Sequence, residues 1–324
     1  AHSVVNPNRL DDKSNLQYLC AAGVSFMFLV SINRQLRSID WFKINLINEP
    51  NLINYLDLVS LGTVCDVVPL VGLNRAIVKQ GLKIIKNRSN LGIKTLYDLC
   101  SNASEPTVFD LGYRLGPRIN AGGRVGKSSY GPELLISEDP EKVFKIATNL
   151  DKSNKERQSI ESLLSEQVNQ EVKKNHNYPL YVLSGENWHE GVMGIVASRI
   201  KDKYNKPTIV ISIKNGVGKA SARSIIGFDI GSIIIAAAQK NILIKGGGHK
   251  MAAGFSIKMT KLEEFKKFIF RRYKNINEDL SKQRSLFLDS KIAPSAINLE
   301  FYDKVNVLSP FGSGNPEPKF LIEN

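Results

Sequence analysis

Positions of one character recur at a helical period through one long stretch of this chain. From Glu138 to about Asn175 there is no glycine, and Val143, Ile146, Leu150, Arg157, Ile160, Leu164, Val168 and Val172 fall near a 3.6-residue spacing. Pro140 stands near the start, where a helix tolerates proline. The spacing predicts a single helix, about 50 Å long at a rise of 1.5 Å per residue, that connects two domains. Upstream the helical pattern comes in shorter pieces. Residues 1–12 read as a loop around Pro7, and a helix from about Asn15 to Leu36 places Leu16, Leu19, Gly23, Phe26 and Val30 on one face. Leu52, Tyr55, Leu56 and Val59 give another helix, expected to break at Gly62. Asn74 is a good N-cap for a helix ending in basic residues, and shorter helices are expected near 91–100 and 107–115.

After Asn177 the period changes. Residues 180–185, 208–213 and 218–224 read as strands, and Gly191–Tyr204, Asp229–Lys240 and Lys261–Tyr273 as helices. This is the pattern of a small α/β domain. Residues 285–324 begin as a strand, grow rich in turn formers and stop before a domain is completed. The expected fold class is α/β, divided at 1–135, 136–176 (connecting helix), 177–280 and 281–324.

Charge sharpens this division. The chain of 324 residues carries 44 Lys and Arg against 31 Asp and Glu, a formal +13, and 17 basic against 8 acidic residues lie within 177–280. A basic surface suited to a polyanion is therefore expected there. Cys20, Cys65 and Cys100 are widely spaced, form no zinc-binding pattern, and read as reduced thiols of a cytoplasmic protein. The apolar run at Leu19–Ile32 is interrupted by Gly23 and Ser25 and is too short to span a bilayer. With Ala1 first and no signal segment, the sequence reads as an internal piece of a longer protein.

Four stretches carry candidate chemistry. In Lys245–Phe255, KGGGHKMAAGF, Gly246, Gly247 and Gly248 remove side chains and permit positive-φ turns whose N–H groups converge on an anion. His249 follows them as a donor, and a plain glycine-rich turn into a buried strand is the alternative. Asp66 lies among Val64, Val67, Val68 and Pro69, so a carboxylate is expected in apolar surroundings, either beside a cation or capping a turn. Gly116–Gly126, GPRINAGGRVG, reads as a loop in which Arg118, Asn120 and Arg124 suit phosphate recognition, or as a flexible basic loop. Ser221, Arg223 and Ser224 in GKASARS combine hydroxyls with a guanidinium, or form an amphipathic edge strand. WHEG at Trp188–Gly191 is not a zinc-protease motif, because Met193 stands where the second histidine would be.

LGTVCDVVPL, GPRINAGGR, WHEGVMGIVASRI and GGGHKMAAGF, in that order, with NPNR at Asn6–Arg9 and PFGSGNPEP at Pro310–Pro318, resemble the RecJ family. These are single-strand-specific 5′→3′ DNA exonucleases within the DHH phosphoesterase superfamily. The resemblance implies part of a DHH catalytic domain, a connecting helix, a DHH-associated domain and the start of an OB-fold. It also implies two metal ions, Mn²⁺ or Mg²⁺, a substrate of single-stranded DNA in repair and recombination, and by analogy a single-strand-binding protein and a helicase as partners, with no membrane.

Carried onto matching positions, Asp66 would ligate metal, and His249 with the Gly246–Gly248 backbone would contact the scissile phosphate. Arg118, Asn120, Arg124, Ser221, Arg223 and Ser224 would hold DNA phosphates, Ser221 and Arg223 at the 5′ end. The family's other metal motifs lie upstream of NPNR and are missing here, so these residues alone are expected to bind but not cut. Gly122, Ala220, Ala222 and a third glycine before His249 depart from the family pattern without removing a charged or hydroxyl group. The alternatives are a DHH phosphodiesterase of oligoribonucleotides or cyclic dinucleotides, and a non-catalytic single-strand-binding module.

Overall fold

The computed structural model describes residues 3–100, 105–174, 178–276 and 286–323. The chain divides into two compact units, Ala1–Ser153 with Leu286–Asn324, and Asn154–Ser285. The first unit opens with helices α1 (Ala21–Ser38), α2 (Trp41–Ile44), α3 (Leu56–Cys65), α4 (Gly72–Lys86) and α5 (Leu91–Cys100). A π-helical turn, Asp110–Leu115, runs into α6 (Gly116–Val125), followed by α7 (Tyr130–Ile136) and the long α8 (Pro140–Lys174). The expected long helix is present, and the division falls inside it. Val143, Ile146, Ala147 and Leu150 pack in the first unit's core with Leu96, Leu111, Leu115 and Leu134. Leu164, Val168 and Val172 pack in the second with Val192, Val196 and Ile200.

Three local expectations are corrected. Gly62 does not break its helix: α3 runs through it, and a Cβ there would lie 2.9 Å from the Ala22 Cβ, so this glycine admits α1. Asn74 is no cap. Helix α4 begins earlier, and Asn74 is fully buried, its Nδ2 donating to the carbonyls of Tyr18 (2.8 Å) and Pro69 (2.9 Å). The GPRINAGGRVG stretch is helix α6, not a loop. Its glycines serve close packing: a Cβ on Gly116 would sit 2.5 Å from the Cys65 Sγ, and one on Gly122 2.7 Å from the Lys127 carbonyl oxygen.

The C-terminal segment belongs to the first unit and contains β6 (Ser290–Ile292), α12 (Leu299–Asn306) and β7 (Phe320–Ile322), with β6 and β7 paired in parallel. It docks on the turn after α3. The Leu70 N–H donates to Ser313 O at 2.6 Å, and the Arg75 guanidinium to Leu308 O (2.7 Å) and Ser309 O (3.1 Å). The PFGSGNPEP stretch thus packs on the end of LGTVCDVVPL.

The second unit holds a five-stranded sheet of order β1-β2-β3-β5-β4, built from β1 (Tyr181–Glu186), β2 (Thr208–Lys214), β3 (Val217–Arg223), β4 (Lys245–His249) and β5 (Ala252–Lys258). β1 joins β2 in parallel through α9 (Glu190–Tyr204), and the other pairings are antiparallel. Helices α10 (Ile230–Gln239) and α11 (Leu262–Ile276) bury one sheet face through Ile233, Ile234, Phe265 and Ile269 against Ala222, Ala253, Phe255 and Ile257. On the other face α8 and α9 pack on Tyr181, Leu183 and Val210, toward β1 and β2. The far part of that face, on β3, β5 and β4, keeps solvent contact at Lys219, Gly254, Lys245, Gly247 and His249. Among the described residues, no helix is long and apolar enough to cross a membrane.

Candidate nucleic-acid interface

Strand alternation decides what this open face carries. β3 pairs with β5 and β5 with β4 so that three rows cross the sheet: Lys219–Ser256–Lys245, Ser221–Gly254–Gly247 and Arg223–Ala252–His249. The first and third rows carry basic residues at their ends, and the middle row carries only Ser221 and two glycines. A Cβ on Gly247 would have nothing within 4 Å, and one on Gly254 would meet only the Ala220 carbonyl at 3.6 Å. The result is a groove of about 480 Å³ lined by Lys219, Ser221, Lys245, Gly247, Gly254 and Ser256. Glu190 also lines it and pairs with Lys219 at 2.9 Å, so the unneutralised cationic wall is the Lys245 side, and the bare floor lets a phosphodiester approach the backbone there. A larger cavity, about 540 Å³ between β1 and α11, shares no residue with it.

Gly246, Gly247 and Gly248 form no positive-φ anion nest. All three are extended in β4, in register with Phe255, Gly254 and Ala253. Gly246 and Gly247 both line the groove with backbone, but of the three only Gly247 would aim a Cβ into it. A Cβ on Gly246 would meet the Ile234 Cγ2 at 2.6 Å, and one on Gly248 the Ala252 carbonyl oxygen at 2.4 Å. Gly248→Ala is therefore expected to destabilise the protein by about 2 kcal/mol, the cost of overpacking against backbone. Gly247→Ala should leave the denaturation midpoint unchanged yet weaken single-strand binding. Denaturant titration and a binding isotherm on both variants separate the two roles.

Arg223 is held from three directions. Its Nη1 donates to Ser221 Oγ (3.1 Å) and Ala222 O (2.9 Å), and a Cβ on Gly194 of α9 would sit 2.7 Å from its Nη2. The guanidinium thus reaches against α9 at a point where the helix has no side chain. Ser224 is corrected: it is buried, and its hydroxyl donates to the Phe228 carbonyl, closing the turn into α10. His249 accepts the Met251 N–H on Nδ1 at 3.3 Å. The neutral imidazole therefore carries its proton on Nε2, as a donor. Its backbone abuts α10, since a Cβ on Gly231 would lie 2.7 to 2.8 Å from the His249 N, C and O.

In the first unit Asp66 is not buried. It is exposed as the C-cap residue of α3. The apolar neighbours in sequence diverge in space because α3 ends there and Val67 takes a positive φ. Cys65 beside it packs on Gly116 and donates to the Leu111 carbonyl at 3.6 Å. Burial first, then the nearby Asp66 charge, pushes its thiol up to about 11. Its thiolate fraction at pH 8 should be about 100-fold below that of an exposed, unperturbed thiol. Iodoacetamide at pH 8 is expected to leave Cys65 unmodified while a glutathione control reacts fully, as peptide mass spectrometry would show.

Arg118 is already engaged. Its Nε donates to Asp151 of α8 at 2.9 Å and its Nη1 to the Arg114 carbonyl at 2.9 Å, with the ion pair largely shielded. Asn120 and Arg124 are exposed on α6, the helix whose first residue packs on Cys65. Among the described residues, no three His, Cys, Asp or Glu side chains come together as a metal-holding group. Gly194, Lys219 and Ser256 also belong to this face and are not singled out by the sequence motifs. The alternation Lys219, Ser221, Arg223 offered a signal for Lys219, whereas the others depend on a nonlocal strand register.

Comparison with known proteins places these elements. Residues 176–275 match the DHHA1 domain family, and residues 288–324 match the RecJ OB domain family. The single-stranded-DNA-specific exonuclease RecJ of Dickeya dadantii is 32% identical over 99% of this chain and 57% of its own length. The RecJ of Haemophilus influenzae is 34% identical over 99% of this chain and 57% of its own length. The chain thus spans little more than half the length of these relatives. The crystal structure of Thermus thermophilus RecJ with Mn²⁺ superposes with a TM-score of 0.80 at 28% identity, covering 93% of this chain and 43% of that one. Its Mg²⁺ complex gives 0.79 at 27% identity, over 96% of this chain and 46% of that one. By the two domain matches and a similarity that runs along 99% of its length, the chain is RecJ-like, with a DHHA1 domain followed by a RecJ OB segment.

Proposed function

We propose that this chain is the substrate-gripping part of a 5′→3′ exonuclease that hydrolyses single-stranded DNA in repair and recombination. The observation that carries this reading is the open face of β3, β5 and β4. There Ser221, Arg223 and His249 border a floor without side chains. Arg223 would hold a terminal phosphate in a bidentate contact, with Ser221 fixing its fork. His249, with its proton on Nε2, would donate to a phosphoryl oxygen and stabilise charge developing at the cleaved bond.

The metal relation is partial. Asp66 offers an exposed hard oxygen donor, the kind Mn²⁺ and Mg²⁺ prefer. One carboxylate is fewer than either ion requires, and the described residues gather no second or third. The reading therefore makes Asp66 one ligand of a site completed by residues outside this chain, and assigns to this chain binding, orientation and proton donation. When bound, two such ions would supply an activated water and neutralise the leaving oxygen.

The test uses the whole natural protein with a long 5′-phosphorylated single strand and with oligonucleotides of two to five residues. Progressive release of mononucleotides from the long strand is expected. Activity confined to the short oligonucleotides would replace this reading with that of a small-substrate phosphodiesterase.

A further inference from the structure

Phe109 and Tyr113 stand one turn apart where the π-helical segment begins, with ring centroids 4.9 Å apart and planes at 24°. They are stacked on each other and still strongly exposed, Phe109 at 57% and Tyr113 at 72%. A ring that stacks one face on a neighbour and retains that exposure offers its other face to solvent. The backbone beneath is rigidly set. Asp110 is buried, accepts the Thr107 N–H (2.8 Å) and hydroxyl (2.7 Å), and pairs with Arg114 at 2.6 Å. The Arg114 guanidinium also lies 5.6 Å from the Phe109 ring centroid. The turn is anchored on the end of α3: a Cβ on Gly112 would lie 3.4 Å from the Val64 Cγ1, and Cys65 donates to the Leu111 carbonyl.

A π-helical insertion of this kind re-aims side chains and is often found at functional sites. Here it presents the exposed Tyr113 ring, stacked on Phe109 with the Arg114 cation behind, on a turn that packs against the end of α3. We propose that Tyr113, supported by Phe109, is a stacking platform for one nucleobase of the single strand. This rests on the single-stranded-DNA reading above and adds a base contact to its phosphate contacts. The platform is indifferent to sequence, because every base has a π face. It requires the base to be unpaired and turned out of a stack, which gives the first unit its own preference for single strands. A pair that merely supports its helix through neighbouring turns would make no such demand on a ligand.

The experiment pairs protein and DNA deletions. The whole protein, its Tyr113→Ala and Tyr113→Phe variants, and a series of 5′-phosphorylated oligo-dT strands with one abasic residue moved along the chain are compared by fluorescence anisotropy in EDTA. For the natural protein one abasic position is expected to weaken binding about 5- to 150-fold, the range of a single base–aromatic stack. Tyr113→Ala should weaken the intact strand by a similar factor and be insensitive to that abasic position, whereas Tyr113→Phe should behave as the natural protein. Equal abasic penalties in the natural protein and Tyr113→Ala, or no position-specific penalty, would overturn the platform while leaving the exonuclease reading intact. Failure of the natural protein to bind the unmodified strand would overturn both. Unchanged binding of the abasic strand by Tyr113→Ala, together with an unchanged denaturation midpoint, is the expected sign that the variant is folded.

Discussion

Arg223→Ala is expected to weaken binding of a 5′-phosphorylated single strand about 10- to 100-fold, as befits one or two hydrogen bonds to a charged group. The same strand with a 5′-hydroxyl should lose far less, so the variant should no longer distinguish the two ends. The expectation follows from how the guanidinium is set. Ser221 Oγ and the Ala222 carbonyl take its Nη1, and Gly194 leaves room for its Nη2. Arg223→Lys keeps the charge but loses the planar fork, and should recover only part of the discrimination. Gly194→Ala approaches the same site from the other side, since its methyl would displace the guanidinium without touching any charge. Competition binding with matched 5′-phosphate and 5′-hydroxyl strands measures all three. Equal losses for both strands would show Arg223 to be a general backbone contact.

The second large effect concerns stability. On the part of α8 that belongs to the second unit, Asn154, Arg157 and Glu161 are buried one turn apart. Arg157 donates to Asn154 Oδ1 (3.0 and 3.2 Å) and pairs with Glu161, which also meets Arg199 of α9 at 2.6 Å. Glu161→Ala is expected to destabilise the protein by about 3–5 kcal/mol, because it leaves the Arg157 cation buried beside no carboxylate. Replacing Asn154, Arg157 and Glu161 together by leucines should restore much of that loss, since no buried charge then lacks a partner. Denaturant titration of the single and triple variants measures the difference. A Glu161→Ala loss below about 1 kcal/mol would mean that water reaches the cluster and that it does not hold α8 to α9.

The helices of the second unit and its strands β1, β2 and β3 are readable in the sequence because each is local, whereas β4 reads as a turn. The long α8 announces itself by its period and its lack of glycine, and Tyr181–Glu186 and Thr208–Lys214 by β-branched runs. Glycine was the least readable residue. The pattern suggested turns and loops for Gly62, Gly116, Gly122 and Gly246–Gly248. In the structure they mostly admit a neighbouring helix or strand, a role set by residues far away in sequence. Asp66 failed for a related reason: apolar neighbours in sequence say little about burial where a helix ends and the chain turns. Arg118 and Ser224 had the right chemistry for phosphate, but Asp151 and the Phe228 carbonyl, neither adjacent, had already claimed them. Ser221, Arg223 and His249 were legible as residues. Their alignment on one open face was not, because it depends on β5 pairing with both β3 and β4.

The central claim is that the β3–β5–β4 face grips the phosphates of a single strand. Amide and guanidinium NMR shifts of this chain, titrated with a short 5′-phosphorylated oligo-dT in EDTA, address it directly. Within the second unit, the account predicts saturable shifts at Ser221, Arg223, Gly247, Gly254 and His249, growing weaker as salt is raised. Shifts gathered instead on β1 and α11, or none in the second unit at saturating DNA, would contradict it.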